Sequence, residues 1–446
     1  MKKFVWYLMM MGWVMSANAN ANANAGAANF TKFEQLVEAL EQKDKAMLGI
    51  AIRQDGQLIF EKYTGLASLS PKVASGREFK YRFGSVSKLF TATMTMRAVE
   101  QEKLNLSDKL SQFFPGIPNA KRISIRQLLS HRSGIFNFTD SPDYPNYMTQ
   151  AKTRKELLAI VEGYPPVFTP GERHEYSNSN YLLLSLILER VYNKNLAELL
   201  NEQVARPLGL EHTYLGGSGA ADKHEVASFR YLNGWQTLPA TDLSIPLGAG
   251  GIVSTASDIS LFLTGLFEGR LVSPDTLSQM TKLEEGYGLG FMAFPFHQKL
   301  GLGHGGAIDG FLSNAAYIEE DKLAISVISN GLNYNFNDVL IALLSSYYGK
   351  EFEIPNFDLN AIELSESELA RYSGEFVTDA LPLDIRVFVE SGKLMGQATG
   401  QQAFDLTPFS ELEFRFDPAG IVMTFNEDKT EFILAQGGGQ FLFTKK

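Results

Sequence analysis

The chain has 446 residues, 45% of them hydrophobic and 20% charged, with 40 Lys and Arg against 50 Asp and Glu for a net charge of -10. That size and apolar fraction support a large core and more than one domain, and the acidic balance argues against nucleic acid as a partner and for a small-molecule or peptide substrate. There is no cysteine, which excludes disulfides, thiolate metal sites, iron–sulfur clusters and a sulfur nucleophile.

At the amino terminus Lys2 and Lys3 precede the apolar run Phe4 to Met15, and Ala17 and Ala19 follow in an A-x-A pattern. Residues 1-25 read as a secretory signal peptide, whose apolar run of 12 residues is too short to cross a hydrocarbon core that takes about 20 helical residues. No membrane span is expected after its cleavage, and the expected location is a bacterial periplasm or the exterior. The Ala-Asn alternation at its end reads as a low-complexity leader.

Residues 26-352 mix helix and strand. Phe33, Leu36, Val37 and Leu40 make a helical stripe, and strand-like runs at Leu48 to Arg53 and Leu58 to Tyr63 flank an Asp55-Gly56 turn, the pattern of a hairpin. Helical spacing covers Lys88 to Gln101, Ile123 to Ser130, Asn178 to Tyr192, Leu196 to Val204 and Ser257 to Phe267. Strand patterns return at Tyr287 to Phe294, Ser313 to Ile318 and Leu323 to Ser329, before a last helix from Phe336 to Tyr347. Strands at both ends with helices between them predict an α+β fold: an antiparallel sheet assembled from distant parts of the chain, with an inserted helical region. Residues 353-366, acidic and holding Pro355, read as a linker. Residues 367-446 carry short runs rich in Val, Phe, Ile and Thr separated by turn residues, the pattern of a small all-β, barrel-like domain.

Ser85 and Lys88 stand in an S-x-x-K spacing that places an ammonium over a hydroxyl if Ser85 opens the helix that follows. A serine needs a base at neutral pH, and a lysine that loses its proton on burial supplies one. The backbone N–H of Ser85, at a helix start, is a natural oxyanion donor. Tyr176 and Asn178 form a Y-x-N triplet just before the apolar helix: the phenol is placed to relay a proton, with a pKa lowered by Lys88, and the amide to hold substrate or orient the lysine. In the run Gly301 to Ala307, Gly305 and Gly306 let a substrate backbone lie against a strand edge, with the Ala307 N–H as a second oxyanion donor. The same run matches G-x-G-x-x-G, but a strand pattern follows it, which rejects a dinucleotide fingerprint. His131, His174, His212, His224 and His297 show no metal-binding spacing and are assigned no role; no metal or cofactor is expected. The aromatics Tyr144 to Tyr147 read as loop packing or as the rim of a cleft.

In that order the Ser85/Lys88 pair, Tyr176/Asn178 and His304-Gly305-Gly306 resemble the penicillin-recognising serine hydrolases: class C β-lactamases, D-Ala-D-Ala carboxypeptidases and related esterases. Leu128 to Gly134 and Gly250 to Asp258 look like further landmarks of that superfamily. The resemblance covers about Phe30 to Tyr348 and implies a β-lactamase/transpeptidase-like fold with an appended barrel. It also implies an acyl-enzyme at Ser85, proton transfer by Lys88 and Tyr176 with the choice of base open, and substrate held by Asn178 and the strand of Gly305, Gly306 and Ala307. The departure is at His304, where β-lactamases of this kind usually carry Lys of a Lys-Thr-Gly triplet. With an ordinary pKa of about 6.5, His304 implies weaker recognition of a substrate carboxylate, and an acid limb in activity near that pKa. Activity on a D-Ala-D-Ala-type peptide or a small amide or ester is expected, and the competing class is a non-catalytic peptidoglycan-peptide binding protein.

Overall fold

The computed structural model describes residues 28–217, 224–437 and 439–446; the signal-peptide segment lies outside the described residues. Helix α1 (Thr31–Gln42) leads into strands β1 (Ala46–Gln54) and β2 (Gln57–Tyr63), and helix α2 (Ser87–Glu100) opens the helical region. Helices α3 (Asn178–Tyr192) and α4 (Ala256–Phe267) follow. Strands β3 (Met292–Phe296), β4 (Lys299–Ile308), β5 (Phe311–Ile318) and β6 (Leu323–Leu332) then precede helix α5 (Phe336–Tyr347).

The main sheet runs in the order β3-β4-β5-β6-β1-β2 and is antiparallel along that path. The first strands of the chain thus close against the last, with Ile50 opposite Val327. Alternation decides the two faces. Leu48, Ile50 and Ile52 of β1 pack with Phe33, Leu36, Val37 and Leu40 of α1 and with Val339 and Leu343 of α5. Ala51, between them in sequence, points to the other face, where Phe262 and Leu263 of α4 and the larger core lie. Each of those α1 side chains is worth about 1.5–3 kcal/mol when fully buried, and the helix start is held by Asn29 Oδ1, which accepts the Thr31 N–H at 3.0 Å.

Helix α2 is buried almost all round, from Ser87 to Met96, because α3, α4 and the sheet enclose it. The strand Ile252–Ser254 pairs with Tyr81–Arg82 and carries the Gly250 to Asp258 landmark against the turn that leads into α2. The aromatics Tyr144 and Tyr147 are half-buried and pack edge-on to one another, and Tyr144 packs edge-on to Phe138, which is loop packing.

At the carboxy terminus eight strands from Gly374–Val377 to Gly439–Lys445 form a closed barrel. Phe376, Phe414, Met423, Phe432 and Phe443 fill it. The sequence pattern predicts six of these strands, in the runs Glu375 to Thr378, Asp384 to Val389, Glu413 to Phe416, Ile421 to Phe425, Glu431 to Ala435 and Gln440 to Thr444, and misses Lys393–Ala398 and Phe404–Pro408. The first contains Gly396 and no β-branched residue, so it carries little strand propensity of its own and is held by register against Ile385–Glu390. The barrel meets the larger unit through Lys45 Nζ, 2.9 Å from Asp417 Oδ2.

Other local differences have physical causes. Ser85 does not open α2: it sits in a 3-10 turn, Gly84–Val86, and the α-helix starts at Ser87. The strand expected from Tyr287 begins only at Met292, because Gly290, with φ +92, brings the backbone close against Ala92 of α2. The helix expected to run unbroken to Val204 changes at Asn201–Ala205 to π geometry.

Candidate active site

Two glycines bring the Ser85 turn and strand β4 together. Gly84 has φ +51, and a side chain there would meet the Ala307 backbone at 3.0 Å. A side chain on Gly306 would lie 2.1 Å from Phe83 O, 2.4 Å from Ser313 Oγ and 3.1 Å from Ser85 N. Only hydrogen at both positions allows this approach, which sets the backbone nitrogens of Ser85 and Ala307 on the same side of the cleft. Strand β3 pairs with β4 only over Lys299–Gly303, so His304 to Ile308 run past its end. Gly305 and Gly306 are half-buried there and Ala307 is exposed. The turn itself is braced by Ser87, whose Oγ donates to Gly84 O at 2.6 Å and accepts the Ile252 N–H at 2.9 Å.

Lys88 follows Ser85 by less than one helical turn and is 0% exposed. Its Nζ lies 2.9 Å from Ser85 Oγ, 2.7 Å from Asn178 Oδ1 and 2.7 Å from Ala249 O. Burial pushes its pKa well below that of an ordinary lysine. A neutral amine has two N–H donors and one lone pair. Asn178 Oδ1 and Ala249 O can only accept, so Nζ donates to both, and its third contact is the Ser85 hydroxyl.

Tyr176 Oη donates to Ser85 Oγ at 2.8 Å, and the Lys88 Nζ stands 4.8 Å from the centre of its ring. Asn178 is fixed at the start of α3: its backbone N–H donates to Asn137 Oδ1 at 2.9 Å and its Nδ2 to Thr139 Oγ1 at 3.1 Å, which leaves Oδ1 for Lys88. The expectation of a lowered Tyr176 pKa is corrected. Burial raises it above the ordinary phenol value, so the group is a protonated donor.

His304 is 2% exposed. Burial is the largest of the causes that lower its pKa to about 3. The expectation of a conditional charge with an acid limb near 6.5 is therefore corrected: the imidazole is neutral over the ordinary pH range. Sequence reasoning also missed His131, Tyr287 and the Ala249 carbonyl. His131, in left-handed backbone with φ 55, stacks at 4.4 Å from the Tyr176 ring and accepts the Ser177 N–H at Nδ1, 3.1 Å away. Its only sequence signal is its place in the Leu128 to Gly134 landmark.

The Beta-lactamase family model matches residues 33–345. The chain belongs to the beta-lactamase family. It is a serine hydrolase of that fold. The teichoic acid D-alanine hydrolase of Staphylococcus aureus (strain NCTC 8325 / PS 47) is 26% identical over 301 residues, 65% of this chain and 74% of that protein. The D-amino acid amidase of Ochrobactrum anthropi SV3, solved with L-phenylalanine amide, superposes with a TM-score of 0.63 at 23% identity, over 72% of this chain and 99% of that one. The octameric penicillin-binding protein homologue from Pyrococcus abyssi gives a TM-score of 0.66 at 22% identity over 93% of this chain and 99% of its own, a span that extends beyond the family match into the barrel. Among the described residues no helix is long and apolar enough to cross a membrane.

Proposed function

We propose that this family member is an exported hydrolase that removes D-alanine, or a similar D-amino acid, from an ester or amide through an acyl-enzyme at Ser85. The observation that carries the reading is the fully buried Lys88 Nζ 2.9 Å from Ser85 Oγ, where burial pulls its pKa well below that of an ordinary lysine and so favours the uncharged amine that can take the hydroxyl proton. As Ser85 Oγ bonds to the substrate carbonyl carbon, its proton passes to Lys88 Nζ. The carbonyl oxygen becomes an oxyanion between the Ser85 and Ala307 backbone N–H groups. The bond to the leaving oxygen or nitrogen then breaks as Tyr176 gives that atom its proton, and the proton held by Lys88 replaces it. Water then adds to the acyl carbon and gives a proton to the same pair, and as the bond to Ser85 Oγ breaks the pair returns that proton to Oγ, which releases the D-amino acid and restores the Ser85 hydroxyl. Asn178 orients Lys88 and faces the cleft, and the Gly305, Gly306 and Ala307 edge lines the substrate.

The D-alanine class is supported by the names of the relatives, a teichoic acid D-alanine hydrolase and a D-amino acid amidase. Export is supported by the amino-terminal sequence pattern. Domains of 26-352 and 367-446 joined by residues 353-366 fit the separate hydrophobic cores of the two units. Incubation with a fluorophosphonate or fluorescent penicillin, followed by peptide mapping, should place the adduct on Ser85. Turnover of D-alanine methyl ester should exceed that of the L-enantiomer. Labelling that survives Ser85→Ala, or turnover without D-preference, would overturn the assignment.

A further inference from the structure

Behind the cleft, three buried rings form one hydrogen-bond chain whose direction is fixed at both ends. His131 Nδ1 accepts from the Ser177 backbone nitrogen at 3.1 Å and lies 3.1 Å from Asn180 Nδ2. The Asn180 Oδ1 is occupied by the Ser133 hydroxyl at 2.6 Å, so its amide nitrogen is the end that faces His131. Both neighbours donate, so Nδ1 of His131 is bare and its proton is on Nε2, 3.1 Å from Tyr287 Oη. At the far end His304 Nδ1 faces the Gly305 carbonyl, which can only accept. The His304 proton is therefore on Nδ1, and its bare Nε2 lies 3.2 Å from Tyr287 Oη. Tyr287 accepts from one imidazole and donates to the other.

His131, Tyr287 and His304 are 0%, 4% and 2% exposed, so water does not substitute for any member. The titratable groups packed around the chain are Lys88, His174, Tyr176 and Tyr181. The Tyr181 proton is committed to Leu129 O at 2.8 Å. The chain joins Ser177, which lies between Tyr176 and Asn178, to Gly305, at the substrate edge of β4.

We infer that Tyr287 is a positioning residue: its hydroxyl caps the bare Nε2 of His304, whose Nδ1 proton Gly305 O holds, and ties the Tyr176–Asn178 turn to the Gly305–Ala307 edge. The cleft thereby presents no cation at the third motif, and favours substrates that leave as an uncharged alcohol or amine over those whose leaving group carries a carboxylate. This deepens, and rests on, the reading of Ser85 as the acylated residue.

Histidine ring nitrogen NMR on the full chain between pH 5 and 8, assigned with His131→Gln and His304→Gln, tests the chain directly. His304 should be Nδ1–H, His131 Nε2–H, and neither should titrate in that window. In Tyr287→Phe, which keeps the ring and removes only the hydroxyl, His304 Nε2 should lose its hydrogen-bond donor and its nitrogen shift should move, while Gly305 O keeps the proton on Nδ1. In that variant kcat for D-alanine methyl ester should fall roughly 10- to 100-fold with KM within about 2-fold, and the wild-type preference for the ester over a D-Ala-D-Ala peptide should shrink. An Nε2–H His304, a titration inside the window in wild type, or unchanged kcat in Tyr287→Phe would overturn the inference. The ring spectra are read whether or not Ser85 turns over substrate, whereas failure of Ser85 to label removes only the catalytic assignment.

Discussion

Lys88 Nζ sits 2.9 Å from Ser85 Oγ with no exposed surface of its own. Ser85 belongs to a 3-10 turn and Lys88 to the α-helix that follows, so the pair spans the junction of two helical geometries, which carries the lysine inward beneath the hydroxyl.

If the neutral amine is the base, Lys88→Arg should lower kcat/KM for D-alanine methyl ester by about 10²- to 10⁴-fold, because a guanidinium does not deprotonate in this range. Steady-state rates across pH should show an acid limb that belongs to Lys88 and survives in His304→Gln. Loss of that limb in His304→Gln would return the titration to the histidine.

For Tyr176 the direction of the shift matters. Burial raises the phenol pKa, so it stays protonated through the whole working range and contributes no alkaline limb. Tyr176→Phe should reduce kcat by about 10²-fold or more while labelling of Ser85 by a fluorophosphonate, which brings its own good leaving group, is reduced much less. Equal loss in both assays would assign Tyr176 to acylation of Ser85 instead of leaving-group protonation.

Gly306→Ala puts a methyl group 2.1 Å from Phe83 O. The strand edge must move off the Ser85 turn, which separates the two oxyanion donors. Acylation should fall by about 10²-fold while circular dichroism and the family of buried sheet contacts persist. A variant with wild-type acylation rates would show that the Ala307 N–H is not a donor.

The buried imidazoles also set acid stability. The folded pKa of His304 is about 3, below its unfolded value of about 6.5, so between those values the unfolded chain binds more protons than the folded one. The stability is fully present above about 6.5 and is lost progressively as pH falls toward 3. His131 is shifted in the same direction by burial and adds to it. Urea midpoints measured from pH 7.5 to 4.5 should decline, and the decline should be shallower in His304→Gln than in wild type. Parallel profiles would mean the histidine is not buried neutral.

Much of the site is legible in sequence because its chemistry is local. Ser85 and Lys88 are close along the chain, Tyr176 and Asn178 flank one residue, and Gly305 and Gly306 are adjacent, so spacing alone brings each pair together. The barrel and sheet are legible for the same reason wherever alternation or turn residues mark them, and they fade at Lys393–Ala398, where pairing partners rather than propensity hold the strand. His131 and Tyr287 lie 156 positions apart and carry no mutual spacing signal.

The sequence by itself singled out Ser85 and Lys88 as a pair, the α+β pattern and the exclusion of sulfur chemistry, because these follow from residue type and short-range period. Only the tertiary structure decided the protonation states. It is the enclosure of Lys88, Tyr176 and His304 by helices and strands from distant segments that removes water from them, and desolvation of the charged form is what lowers the pKa of the amine and the imidazole and raises that of the phenol.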